Sequence, residues 1–190
     1  MTLFSYVVQH DLGMSPNPTG GFCTLAFCKF SQTGTKSNIV ELAKKGDWVV
    51  GTGGKNNRSS GHGTLVYAMK VTDKMPLATF LKHSRFKGRY GNDPGAARIS
   101  ERYALISDHY YYFGSEAKPL EHDIEKTGPS FRSKFSPEFI DEFVAWLEAH
   151  YELGEWGDPC VPPSEEDDCP PSPVCRRRNS KSRRRLKIIC

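Results

Sequence analysis

A sharp change in composition after Trp156 sets the main constraint on how this chain folds. Before that residue, short apolar and aromatic runs alternate with turns rich in glycine and proline, which is enough material for one hydrophobic core. After it, prolines and acidic residues leave almost nothing to bury. We therefore predict one domain over residues 1–156 and a disordered tail over 157–190.

The predicted tail separates its charges by sign. Four consecutive acids at 165–168 are followed by a basic run that contains no acid. Because the whole chain has a net charge of only +4, broad affinity for phosphates is expected mainly from this run. The alternative is that the basic run is merely solvated. The arginines predicted to contact nucleic acid are Arg176, Arg177, Arg178, Arg183, Arg184 and Arg185.

The local patterns within 1–156 predict an α+β fold. Apolar and β-branched runs indicate strands, and Ser136 followed by Pro137 marks the start of the clearest helix. We expect a mixed, mostly antiparallel sheet, or a partly open β-barrel, with the C-terminal helix packed on it. The predicted strands are 3–9, 22–29, 47–54, 64–71, 103–107 and 109–114, and the predicted helices are 38–46, 76–84 and 136–151. We expect a hairpin that joins 47–52 to 64–71, and we expect 109–114 to continue the sheet of 103–107 after a kink.

Several common protein classes do not fit this sequence. The N-terminal residues lack the features of a secretory signal, and no run of 18 apolar residues occurs, so we expect a cytoplasmic protein that does not enter a membrane. The six cysteines lack paired zinc-site spacing, and we expect them to be reduced. No metal site and no cofactor are predicted.

The loop after the first strand holds the first candidate site. Asp11 and Asn17 flank a segment stiffened by Pro16 and Pro18, so a carboxylate and an amide are presented at fixed positions. Such groups read the edges of bases. The alternative, which spacing alone favours, is that Asp11 and Asn17 only cap turns.

Glycines after the third predicted strand form the second candidate. Gly51, Thr52, Gly53 and Lys55 could present backbone N–H groups and a positive charge to a phosphate. The spacing is not that of a P-loop, and a flexible hairpin tip is the alternative.

Aromatic residues form the third candidate. Trp48, which follows Asp47, could stack a base, and Tyr111 or Tyr112 could line a pocket for an extruded base. Strand alternation places Tyr110 and Tyr112 on one face and Tyr111 on the other. A place in the hydrophobic core is the alternative for each of these rings.

A series of ordered motifs spans residues 3–150. They are Tyr6–Val8, Asp11, Gly13, Pro16–Pro18, Gly21, Cys23–Ala26, Cys28–Lys29, Ala43, Gly46–Trp48, Gly51–Gly53, Leu65–Thr72 and His109–Gly114. In this order the motifs resemble the nucleotide modification associated domain, second type. The resemblance implies a role in making, reading or processing modified nucleotides. The order of elements is more distantly similar to the PUA-like base-binding barrels, which include the EVE and ASCH domains.

The resemblance favours one shared pocket built from the first loop, the 51–54 turn and Tyr111 or Tyr112. Thr24 also falls on a motif position and joins the predicted ligand-binding residues. The leading hypothesis is a module that binds a nucleotide or DNA, with a modified base held in an aromatic pocket and DNA-modification enzymes as possible partners. The alternatives are an enzyme, either a transferase or a hydrolase, that uses Asp11 or Asp47 as general base or metal ligand, and an adaptor whose tail recruits DNA.

Overall fold

The computed structural model describes residues 1–26, 28–29, 38–55, 58–89, 102–126 and 130–160. Its strands are β1 (Leu3–Val8), β2 (Cys23–Leu25), β3 (Trp48–Gly53), β4 (Thr64–Lys70), β5 (Asp73–Pro76), β6 (Tyr103–Ser107), β7 (His109–Tyr112), β8 (Lys118–Pro119) and β9 (Gly154–Glu155). Its α-helices are α1 (Ile39–Leu42), α2 (Leu77–Lys82) and α3 (Pro137–His150), and a short 3₁₀ helix spans Gly114–Glu116.

The main sheet has the order β1-β3-β4-β7-β9, with β8 paired to β4. β1 pairs with β3 in parallel, and β7 with β9 in parallel, whereas the pairs around β4 are antiparallel. The predicted hairpin of the third and fourth strands is therefore confirmed. Its register shifts between Gly51 and Thr52, because one extra residue of β4 lies opposite that step.

A smaller antiparallel sheet, β2-β6-β5, lies against the main one. The chain passes from the small sheet to the main sheet between β6 and β7, so the expectation that 103–114 continues one sheet after a kink is wrong. Ser107 holds this corner: its Oγ donates to the backbone oxygen of His109 at 2.7 Å and lies 3.1 Å from that residue's N–H. A side chain that bonds the local backbone in this way competes with the sheet ladder and favours a turn.

The main sheet carries apolar residues on both faces. One face packs on α3 through Ile140, Phe143 and Leu147, and the opposite face packs on β2, β6 and α1. The fold is thus α+β with a C-terminal helix on a mixed sheet, as predicted, and the described strands form no closed barrel. Among the helices described, none has the length and apolar character required to span a bilayer.

The C-terminal part of the described chain follows the edge of the main sheet. After β9, Trp156 N–H donates to Tyr112 O at 2.8 Å, and Ser115 N–H donates to Asp158 O at 2.7 Å. Contacts with the domain thus continue through residues 157–160, beyond the predicted boundary at 156. The remainder of the predicted tail, including its basic run, lies outside the described residues.

The described cysteines differ in whether their sulfur is a free thiol or part of a disulfide. Cys23 and Cys160 carry free thiols, but Cys28 is disulfide-bonded, so the expectation that every cysteine is reduced is wrong for Cys28. That expectation came from the compartment and from the placement of the cysteines in the sequence, whereas bond formation depends on which sulfur atoms the fold brings together.

Helix α3 should depend measurably on its N-terminal cap. Ser136 Oγ accepts the N–H of Phe139 at 3.2 Å, and Ser136 itself is exposed. We expect Ser136→Ala to lower the free energy of unfolding by about 1 kcal/mol in urea titrations. Ser136→Asp keeps the acceptor and should unfold like the wild type, whereas equal stability of all three proteins would contradict this role.

Candidate functional site

Asp11 is a buried carboxylic acid in the loop between β1 and β2, with 1% of its surface exposed. Its backbone N–H donates to Arg58 O at 3.0 Å, and its Oδ1 accepts the hydroxyl of Tyr112 at 2.7 Å. Its second oxygen, Oδ2, accepts no hydrogen bond of normal geometry from the described residues. Ser5, Trp48, His109 and His122 also have a buried polar atom in this state, but Oδ2 is the one that belongs to a carboxyl group, so it can accept a hydrogen bond from a ligand or bind a proton.

Burial raises the pKa of Asp11 above its ordinary value, because desolvation disfavours the carboxylate. The hydroxyl of Tyr112 and the N–H groups of Cys160 and Gly13 oppose this shift, but they do not cancel it. Burial, and after it the nearby carboxyl of Asp11, also raise the pKa of Tyr112, so Tyr112 stays a neutral donor. Asp11 is therefore easier to protonate than an exposed aspartate.

Two tyrosines of β7 attach the loop around Asp11 to the main sheet. The hydroxyl of Tyr110 donates to Pro18 O at 2.9 Å, as that of Tyr112 does to Asp11. Both side chains pack in the core on the same side of the sheet, as strand alternation predicted, whereas Tyr111 packs on the other side. The two ends of the loop are thus fixed by one face of one strand.

Further polar groups lie in the same layer of the core. The hydroxyl of Tyr67 donates to that of Tyr6 at 2.9 Å, and both rings are fully buried. Gly51 faces these rings, and a Cβ atom there would lie 2.7 Å from Val8 Cγ2 and in contact with the Tyr67 ring. Gly51 is therefore required for the close approach of Tyr67, a structural role that glycine spacing alone did not indicate.

Asn17 and Thr24 hold the loop between β1 and β2 at its end near β2. Their backbones form an isolated β-bridge, and Asn17 Oδ1 accepts the N–H of Thr19 at 3.2 Å and its hydroxyl at 2.7 Å. Thr24 Oγ1 accepts Arg89 Nη1 at 3.3 Å. The amide oxygen of Asn17 thus caps its own turn.

Asp47 has backbone partners on both carboxylate oxygens. Oδ1 accepts the N–H of Thr2 at 2.8 Å, and Oδ2 accepts that of Lys44 at 2.9 Å. These bonds tie the N-terminus to the turn before β3.

Thr52 is fully buried, and its hydroxyl donates to Tyr6 O at 3.3 Å.

Trp48 and Tyr111 lie on the face of the main sheet that α3 covers. Their rings are nearly parallel, at 15°, with centroids 6.5 Å apart, and Trp48 is 1% exposed. His109 packs edge-on against Trp48. The structure therefore brings Asp11 and Tyr112 together but separates them from Trp48 and Tyr111 by the sheet.

The glycine run does not form an open phosphate loop. β3 continues through Gly53, and the N–H of Gly54 donates to Ser59 Oγ at 2.8 Å. Lys55 follows as an exposed residue at the hairpin tip. The described residues contain no group of three or more His, Cys, Asp or Glu side chains placed to hold a metal.

Sequence reasoning missed the segment that covers Asp11. Pro159 rests against Gly13, and Cys160 Sγ lies 3.0 Å from Ser60 Oγ. Composition assigned 157–160 to the tail, so no sequence signal connected Cys160 with a loop about 150 positions earlier.

The fold and the site together define an α+β domain with a buried aspartate–tyrosine pair. The chain belongs to the family described as nucleotide modification associated domain 2, whose model matches residues 1–98 and 81–165. The resemblance seen in the sequence motifs is confirmed. No curated protein and no solved structure matches the chain.

The raised pKa of Asp11 should make stability depend on pH. Between the unfolded pKa, near 3.8, and the higher folded pKa, the unfolded chain loses its proton first, so the free energy of unfolding falls as pH rises. The asparagine of Asp11→Asn cannot ionise, so the free energy of unfolding of this variant does not fall with pH for this reason. We expect the stability of Asp11→Asn relative to the wild type to increase with pH in urea titrations from pH 4 to 8.

The exposed Asp108 provides the matched control, since Asp108→Asn makes the same chemical change at a surface turn. Its stability relative to the wild type should vary much less over the same pH range. A pH profile for Asp11→Asn that follows that of Asp108→Asn would show that the Asp11 carboxyl is not desolvated.

Proposed function

We propose that this domain binds a nucleotide or nucleic acid in connection with base modification, and that Asp11 pairs with the edge of a base, modified or not. The observation that carries the proposal is the buried carboxyl, whose Oδ2 accepts no hydrogen bond of normal geometry from the described residues. Membership of a family associated with nucleotide modification supports the class of ligand. A cytoplasmic location is part of the same proposal.

The protonation of Asp11 decides which base edge it can pair with. As a carboxylate it accepts from a ring or exocyclic N–H, and as a carboxylic acid it also donates to a ring nitrogen or carbonyl. Tyr112 occupies Oδ1, so Oδ2 is the atom left for the ligand. A good pair of such bonds discriminates between bases by about 1–3 kcal/mol.

The other predicted ligand-binding residues take supporting parts in this proposal. Asn17 and Thr24 hold the loop that carries Asp11. Trp48, Tyr111 and Gly51–Gly53 shape the sheet beneath it. Lys55 is exposed and available to a phosphate, and the basic run of the tail adds affinity for DNA that depends on salt.

An enzyme acting on nucleotides or modified bases is the second candidate, and the raised pKa of Asp11 favours it. A carboxyl that holds its proton more firmly than usual can act as a general acid or base at a higher pH than an exposed aspartate can. Asp47 fits this role less well, since backbone N–H groups occupy both of its oxygens.

Binding by the full chain tests the proposal directly. The probes are the four deoxynucleoside monophosphates, plain DNA and DNA carrying hypermodified pyrimidines, offered at physiological salt. We expect selective binding of one probe, and a loss of about 10-fold or more in Asp11→Asn, because one buried hydrogen-bonding group contributes about 1–3 kcal/mol. Asp108→Asn is the charge-matched control and should bind like the wild type.

The outcomes separate the candidates. Equal affinity of Asp11→Asn and Asp108→Asn for the selected probe would contradict a base contact at Asp11. Equal binding of all DNA, with a steep dependence on salt, would instead assign affinity to the basic tail and favour the adaptor. Formation of a product from any probe, with or without Mg²⁺, that Asp11→Asn abolishes would establish the enzyme.

A further inference from the structure

Residues 157–160, here called the strap, lie across the loop that carries Asp11. The strap approaches the domain at two glycines: a Cβ on Gly114 would meet the backbone of Asp158, and one on Gly13 would meet the Pro159 ring. Both glycines have positive φ, at +52° and +66°. These two positions are therefore shaped to admit the strap closely.

The end of the strap reaches the candidate site itself. The backbone N–H and thiol of Cys160 are close enough to Asp11 to affect the pKa of its carboxyl. Oδ2 nevertheless accepts no hydrogen bond of normal geometry there. The strap thus lies next to the carboxyl and favours its ionised form, but it gives Oδ2 no well-aligned donor, and a ligand with a better-placed donor would bind that oxygen more strongly.

The strap is attached more firmly at its beginning than at its end. β9 pairs with β7, and the N–H of Trp156 donates to Tyr112 O, so the chain is fixed up to Trp156. Beyond it, Ser115 N–H holds Asp158 O, and Ser60 Oγ lies 3.0 Å from Cys160 Sγ. Gly157 connects the two parts and lies close to the domain, since a Cβ atom on it would meet the backbone oxygen of Phe113.

We propose that the strap and the nucleotide compete for Asp11, so that the strap must leave the loop before a base can reach Oδ2. This inference rests on the proposed function, because it needs a ligand at Asp11. The strap then has a regulatory role: in the closed form, in which the strap lies over Asp11, the protein is autoinhibited. The apparent affinity for a base is then the intrinsic affinity multiplied by the fraction of molecules in which the strap is open.

A reversible covalent lock tests this competition in the full chain. Since Ser60 Oγ and Cys160 Sγ are already in contact, Ser60→Cys places two sulfur atoms where a disulfide of about 2.05 Å can form with small adjustment. We expect the oxidised variant to lose at least 10-fold in affinity for the probe that the wild type selects, and to recover on reduction. Peptide mapping identifies the bond between position 60 and Cys160.

The matched control combines Ser60→Cys with Cys160→Ser, which cannot form the lock and should bind equally before and after reduction. Unchanged binding by the locked protein overturns the competition and leaves the proposed function intact. If the wild type and the control bind no probe at all, the proposed function fails and the competition fails with it.

Thiol modification of unmutated protein gives a second measurement, which does not depend on forming the lock. The selected probe should accelerate modification of Cys160, followed by mass spectrometry of its peptide, because release of the strap exposes the sulfur. Modification that is unchanged or slower with bound probe overturns the proposal, since the strap then stays in place or closes over the ligand.

Discussion

The hydrogen bond from Tyr112 to Asp11 joins groups 101 residues apart in the chain, and the arrangement of the site depends on it. It attaches the first loop to a central strand of the main sheet and occupies one of the two carboxyl oxygens. A buried charge is costly, so burial moves Asp11 toward its protonated form, and the hydrogen bond from Tyr112 opposes this shift only in part. The carboxyl of Asp11, which can bind a proton or accept a hydrogen bond, therefore lies at a buried position where one of its oxygens lacks a well-aligned partner.

The main sheet separates Asp11 and Tyr112 from the aromatic residues that pack against α3. On the α3 side, Trp48 and Tyr111 pack with aromatic and aliphatic residues and hold the sheet against the helix. On the other side, phenolic hydroxyls are interspersed with apolar residues, and it is here that the first loop is attached. The same strand, β7, supplies both faces because its side chains alternate. A change at Trp48 would therefore reach Asp11 only through the sheet.

The segment after β9 links the boundary of the domain to its function. The family match extends to residue 165, and the described contacts continue through Cys160. The strap therefore belongs to the part of the chain that contacts the domain. In the role proposed for it, the strap would open locally, as segments of low local stability do.

The sequence by itself determined the elements that local patterns encode. Ser136 and Pro137 marked the start of α3, the third and fourth strands were recognisable as a hairpin, and alternation assigned Tyr110 and Tyr112 to one face. The ordered motifs also identified the family. These features depend on residues close in the chain, so periodicity and capping reveal them.

Only the tertiary structure decided which groups share a site. It placed Asp11 beside Tyr112 and Cys160, gave both oxygens of Asp47 to backbone N–H groups, and put Trp48 beneath α3. Gly51 likewise proved to accommodate the ring of Tyr67 rather than to open a loop. Local patterns cannot give these results, because they arise from packing between segments up to about 150 residues apart, where burial and the available partners set each group's role.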